Sequence, residues 1–247
     1  MTVEGFSQLY NIGLSLPPLH PDGVMRAAKF GKANNKIWLI LPKNGCSTLG
    51  YACAKANGFD GAFKSPNGLH YFNFYGAMLK NKIYWNADPD WGDLEIIVFV
   101  RDPIDRFLSF TNWLIANVEG YNRYTYDKLR YTEKGGLEKF FERNITYCTI
   151  QNMFYDVTYV DQHVCSQTRY IEYCTYPLVS KWNNEITYYN LKDMKRVFDM
   201  ENLEYRLLNE SKVKRYSRDM LSERQLNQLK YVYRDDFKLL DKCVVFS

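Results

Sequence analysis

The 247 residues include only three histidines and six cysteines, so chemistry that depends on either has few places to reside. None of the cysteines, Cys46, Cys53, Cys148, Cys165, Cys174 and Cys243, belongs to a CxxC pair, which argues against a zinc ribbon or a dithiol redox centre and for reduced thiols. No run reaches the roughly 18 apolar residues of a membrane span. The start, Met1-Thr2-Val3-Glu4-Gly5 leading to Leu14-Ser15-Leu16-Pro17-Pro18, lacks the basic head and apolar stretch of a secretory signal. A cytoplasmic location without a membrane partner is therefore expected. No block of Lys and Arg occurs, and a net charge of +4 among interspersed acids is too small for a nucleic-acid footprint. The GxxxxGK[ST] pattern is absent as well, which disfavours an ordinary P-loop ATPase.

What is present is an ordinary globular composition, 46% hydrophobic and 24% charged, with neither an internal repeat nor a low-complexity linker. A single domain over 1–247 is expected, made of an N-terminal arm, 1–35, punctuated by Pro and Gly, and a core, 36–247. Aromatics reach 17%, including 21 Tyr, enough to fill a core and also to line a pocket for a flat ring.

Two strand-to-helix transitions organise the core. Ile37-Trp38-Leu39-Ile40-Leu41 is a short apolar run ended by Pro42, as in a strand buried on both faces. From Thr48 the apolar positions Leu49, Ala52, Cys53 and Ala56 recur at helical spacing, and Gly58 supplies a stop. The second strand is Leu94 to Val100. Asp102 is placed to cap the next helix, Pro103 suits its first turn, and Phe107, Phe110, Thr111 and Leu114 mark a buried face. A strand is predicted over Val179 to Trp182, and an irregular or helical insertion, rich in Tyr, over Gly120 to Arg143. Ser222 and Gln225 form a capping-box pattern ahead of one long amphipathic helix carrying Leu226, Leu229, Tyr233, Phe237 and Leu240.

The first transition contains Pro42-Lys43-Asn44-Gly45-Cys46-Ser47-Thr48. A turn between a buried strand and a helix exposes backbone N–H groups at the positive end of the helix dipole, which suits an anion. Gly45 permits close approach, Ser47 and Thr48 add hydroxyls, and Lys43 adds a cation able to meet charge building on a leaving phosphate. At the second transition, Arg101 ends its strand and Ser109 follows two helical turns later, so both can converge on one phosphate beyond the strand ends.

In this order, Lys43-Asn44-Gly45-Cys46-Ser47-Thr48-Leu49 followed by Phe99-Val100-Arg101-Asp102-Pro103-Ile104-Asp105-Arg106-Phe107-Leu108-Ser109-Phe110 resembles the two donor segments of sulfotransferases that use 3′-phosphoadenosine 5′-phosphosulfate (PAPS). The likeness is to the carbohydrate branch that includes the chondroitin 4-O and HNK-1 sulfotransferases. It continues through His163 and Cys174 to Leu178-Val179-Ser180-Lys181, and to Leu229-Lys230-Tyr231-Val232-Tyr233-Arg234-Asp235-Asp236-Phe237, covering about Lys36 to Leu240. It implies a three-layer α/β fold, P-loop NTPase-like, with a central parallel sheet. It also implies that Lys43, Asn44, Gly45, Cys46, Ser47 and Thr48 hold the 5′-phosphosulfate, that Arg101 and Ser109 hold the 3′-phosphate, and that no metal is needed. The chain departs from that branch in carrying no membrane-spanning run and in having one cysteine, Cys174, where the family has a close pair.

Attack by an acceptor oxygen calls for a positioned base. In related sulfotransferases a catalytic His or Glu falls between the donor segments, which implies His70, followed here by Tyr71-Phe72-Asn73-Phe74-Tyr75. His163, beside Asp161, resembles another family histidine and is a second candidate at the acceptor site; His20 lies in the arm and reads as structural. Lys212, Lys214, Arg215 and Arg218 form a basic cluster, and the family places a basic loop over the donor here, which implies donor contacts for Lys214 and Arg215. The acceptor is expected to be a carbohydrate or a small natural product carrying a hydroxyl or an amine. From the residues alone, a kinase-like phosphotransferase and a non-catalytic nucleotide or glycan binder remain alternatives.

Overall fold

Successive side chains of a strand point to opposite faces, and a strand apolar at every position needs a cover on both sides. The sequence requires this at Ile37–Leu41 and Ile96–Val100, and the computed structural model supplies it. It describes residues 30–58, 83–84, 94–117, 136–153, 160–161, 163–182, 184–208 and 216–246. The strands are β1 (Phe30–Ala33), β2 (Lys36–Leu39), β3 (Ile83–Tyr84), β4 (Ile96–Val100) and β5 (Ile186–Asn190), in the spatial order β3-β1-β2-β4-β5. β2, β4 and β5 run parallel, whereas β1 is antiparallel to β2 and to β3. The expected parallel sheet is thus present at the centre and gains an antiparallel edge.

That edge begins inside the segment read from sequence as the arm. Asn34 and Asn35, with φ of 50° and 59°, make the two-residue turn joining β1 to β2. Both angles lie in the left-handed region that such a hairpin demands and that Asn tolerates better than most residues.

The helices are α1 (Cys46–Ala56), α2 (Pro103–Asn117), α3 (Leu137–Met153), α4 (Gln167–Trp182), α5 (Met194–Met200), α6 (Glu223–Val232) and α7 (Arg234–Leu240). On one face of the sheet Ile37, Leu39, Ile96, Val98 and Val100 pack with Tyr170, Ile171 and Cys174 of α4 and Leu239 of α7. On the other, Trp38, Ile40, Ile97 and Phe99 pack with Leu49, Ala52 and Cys53 of α1 and Val197 and Phe198 of α5. Each such side chain taken fully from water contributes about 1.5–3 kcal/mol before entropy is counted. A third cluster joins α2, α3 and α6 through Phe107, Phe110, Phe140, Phe141 and Leu229. Helix, sheet and helix make the three layers of an α/β fold.

Two elements differ from the sequence reading. Val179–Trp182 is the last turn of α4 and not a strand. The buried positions Tyr170, Ile171, Cys174 and Thr175 follow a helical period, and Asp236 fixes the start of that helix from outside, so the local β-branched residue is overruled. The third parallel strand is β5, Ile-Thr-Tyr-Tyr-Asn at 186–190. The long C-terminal helix is divided at Tyr233, whose φ of −109° and ψ of 25° leave the helical region. There the phenol donates to Val164 O at 2.9 Å, a contact that turns the ring inward. The capping box at Ser222 and Gln225 is present as expected. Of the Tyr-rich insertion, the part from Leu137 onward belongs to α3.

Candidate active site

Because β2 and β4 are parallel neighbours, the loops leaving their C-terminal ends emerge side by side. The first holds residues 42–45 and the second begins at Arg101. The guanidinium of Arg101 donates from Nη1 to the backbone oxygen of Lys43 at 2.9 Å, so the two segments singled out in the sequence meet directly.

The first turn is backbone under constraint. Lys43 and Gly45 both have left-handed φ, 66° and 71°. Such a conformation is uncommon for a lysine and is held in place only by its surroundings. A Cβ at 45 would also lie 2.9 Å from Met194 Cε and 3.2 Å from Leu191 Cδ1, side-chain ends that would have to shift to admit it. Gly45 also precedes the first residue of α1, has no side chain with which to cap it, and no acidic residue occupies the first turn. The positive end of the α1 dipole therefore has neither a side-chain cap nor an acid of its own at this turn, the setting that suits an anion.

Three cations surround this turn. Burial pulls Lys43 down to about 8, and the neighbouring Arg101 and Arg106 act in the same direction against Cys46 and Asp161. Arg101 is lowered too, first by burial and then by Arg106, against Asp105 and Asp102. Cations withdrawn from water are relieved by an anion. Arg106 itself is buried, and its guanidinium braces the loop, donating from Nη1 to Cys165 O at 2.7 Å and from Nε to Pro42 O at 3.3 Å. Buried lysine and arginine around a left-handed glycine turn at a helix start fit a polyanionic ligand.

The second turn is closed. Asp102 Oδ1 accepts from Ile104 N at 2.9 Å and Asp105 N at 3.0 Å, capping α2 as its sequence position predicts. Ser109 lies half-buried two turns along α2. Thr48 is buried, and its hydroxyl accepts from Leu208 N at 3.0 Å, so it anchors that strand of chain. Further along the chain, Tyr216 exchanges backbone bonds with the side chain of Asn112 of α2, at 3.0 and 3.1 Å. Lys214 and Arg215, expected at the donor, lie outside the described residues, as do Lys212, His70 and His20; the described chain on either side of 209–215 is tied to α1 and to α2.

His163 sits in a defined setting. Its Nδ1 is 2.8 Å from Asp161 Oδ1, which also accepts from the His163 backbone N at 2.9 Å. Tyr147 donates to Asp161 Oδ2 at 3.0 Å, and the imidazole stacks on Phe110 with centroids 6.5 Å apart. Burial alone would raise the Asp161 carboxyl, but His163 and the bonds it accepts outweigh this and hold it below the usual carboxylate range. Phe110 belongs to α2, so the His163–Asp161 pair lies against the helix that follows Arg101.

Sequence reasoning did not single out Gln167 or Asp236, both fully buried. Gln167 Oε1 accepts from Arg101 N at 3.0 Å and Asn44 Nδ2 at 2.5 Å, while its Nε2 donates to Arg101 O at 2.8 Å. Asp236 accepts from Gln167 N at 2.8 Å, Thr168 N at 2.9 Å and Ser166 Oγ at 2.6 Å. Asn44 also donates to Phe99 O at 2.8 Å, so its side chain is a brace. All six cysteines are free thiols, and burial pushes Cys148 and Cys165 up to about 12. Among the described residues no group of three or more His, Cys, Asp or Glu is placed to hold a metal ion, and no helix is long and apolar enough to cross a membrane.

No curated protein and no solved structure matches the chain significantly. A family description, Sulfotransferase family, matches residues 30–242, from the first residue of β1 to just beyond α7. Its span includes both loops at the strand ends and the helices that hold them, and on that ground the chain belongs to the sulfotransferase family.

Proposed function

We propose that the chain transfers a sulfuryl group from PAPS to a hydroxyl or amine of a carbohydrate or small-molecule acceptor. The observation that carries this reading is the 2.9 Å bond from Arg101 to the Lys43 backbone, which makes one cradle of two stretches far apart in sequence. The amides at the start of α1 and the side chain of Lys43 bind the 5′ end of the donor; Arg101 and Ser109 bind its 3′-phosphate. PAPS supplies an activated sulfur–oxygen bond. As that bond breaks and the acceptor's bond to sulfur forms, the electron pair stays on the leaving phosphate, where Lys43 meets the growing charge. The acceptor proton goes to His70, and His163, oriented by Asp161, lines the acceptor side. Sugars and aromatic scaffolds both suit the tyrosines between Tyr121 and Tyr131.

The test is transfer of label. Incubation with ³⁵S-labelled PAPS and a panel of glycans, phenols and amines is expected to label at least one acceptor, and the free product 3′-phosphoadenosine 5′-phosphate (PAP) is expected to raise the melting temperature. Labelling from γ-labelled ATP in place of PAPS would sink the reading. So would PAPS binding without transfer to any member of the panel, which is the behaviour of a binder.

A further inference from the structure

Arg101 stands one residue beyond the last pair of the β4–β5 ladder, Val100 with Asn190. Its backbone N–H and C=O would be satisfied by a neighbouring strand if the ladder continued, and Gln167 takes that strand's place. A primary amide carries a donor and an acceptor, as a peptide unit does. Here the Gln167 amide accepts from Arg101 N and donates to Arg101 O, while the same Oε1 reaches across to Asn44 in the loop after β2. One buried side chain therefore touches both halves of the proposed donor cradle. It is held from behind: the Asp236 carboxylate of α7 binds the backbone N–H of Gln167 and of Thr168, which sets the first turn of α4 and the origin of the Gln167 side chain.

We infer that Gln167, anchored by Asp236, is a positioning residue that sets the spacing between the Lys43 loop and Arg101, and thereby the affinity for the doubly phosphorylated donor. The inference rests on the reading of this site as the PAPS site. Gln167 does not touch the donor; it acts through Asn44 and Arg101. A group that fixes two binding segments relative to each other changes affinity when it is lost, because displacement of about 1 Å is enough to cost ~10²-fold.

The test compares Gln167→Met, which keeps size and removes all three bonds, with Asn184→Ala. Asn184 is another buried polar residue; it bonds Leu94 O at 2.6 Å at the opposite end of β4 and serves as a control for general loss of stability. Both variants are expected to melt earlier than the wild type. Gln167→Met is expected to raise the Kd for PAP and the KM for PAPS about 10- to 100-fold with the acceptor KM unchanged, and Asn184→Ala to leave both donor constants alone. Should Gln167→Met fail to fold, Gln167→Asn keeps the amide but shortens its reach and is expected to shift the donor constants in the same direction. Wild-type donor constants in a folded Gln167 variant would overturn the inference while leaving the donor site intact. A wild-type chain that does not bind PAP would overturn the reading of the site itself, and the inference with it.

Discussion

The two turns that leave β2 and β4 are built from the same unit, a buried parallel strand running into a helix, yet one is open and the other shut. After β4, Asp102 takes up the first free amides of α2 with its own carboxylate. After β2, Gly45 offers α1 no cap, and the first turn carries no acid. The structure thus separates two tasks at one end of the sheet. The open turn lacks a side-chain cap and carries left-handed backbone at Lys43 and Gly45, as the proposed anion site would require. The closed turn satisfies its own amides, with Arg101 immediately before its cap.

Perturbing the open turn is expected to have the larger effects. Lys43→Ala should lower turnover by roughly 10²–10³, the loss that follows removal of one transition-state donor; steady-state kinetics with saturating PAPS measure it, and wild-type turnover would break the distinction drawn here. Ser47→Asp places a carboxylate where the anion is expected, so PAP should bind ~10- to 100-fold more weakly by calorimetry, while the melting temperature holds or rises because the helix gains its missing acid. A fall in stability without loss of affinity would show that the amides of α1 serve the fold alone.

The titration of Lys43 sharpens the same contrast. With Lys43 at about 8 in the folded chain against an ordinary 10.5, the cation is lost as pH rises through 8. The kcat/KM for PAPS should then fall about tenfold per pH unit above that point, and Lys43→Arg should remove this limb because a guanidinium stays charged. Stability moves the opposite way. Between about 8 and 10.5 the unfolded chain holds the extra proton, so the wild type should gain stability with rising pH relative to Lys43→Met. At the closed turn the smallest effect is expected: Asp102→Ala should cost about 1 kcal/mol in chemical denaturation, with PAP affinity changed less than about threefold. The ion pair of Asp102 with Arg218, at 3.6 Å on the surface, adds little to that figure.

What could be read from sequence was what adjacent residues determine. The apolar runs at 37–41 and 94–100, the helix after Thr48, the cap at Asp102 and the capping box at Ser222 all depend on neighbours within a few positions, and all are present. The meeting of Lys43 with Arg101 was legible because two local patterns implied one ligand. Elements that depend on distant partners were not. β1 takes its identity from pairing with β2 and β3, α4 from packing Tyr170, Ile171 and Cys174 on the sheet, and the break at Tyr233 coincides with a bond to Val164. Gln167 and Asp236 carry no local signal as site residues; a glutamine at the start of a helix and an acid in the last helix acquire meaning only when 69 positions are folded out between them.

The Asp236 contact also has a consequence for the order in which the protein comes into being. A ribosome releases the loop at 42–48 and Arg101 long before it makes Asp236, so the early part of the nascent chain holds the proposed donor-binding groups while the carboxylate that bonds the start of α4 is still unmade. Nucleotide added during translation would therefore be captured late, after α7 has emerged and docked, and chains stopped short of that helix would be passed over.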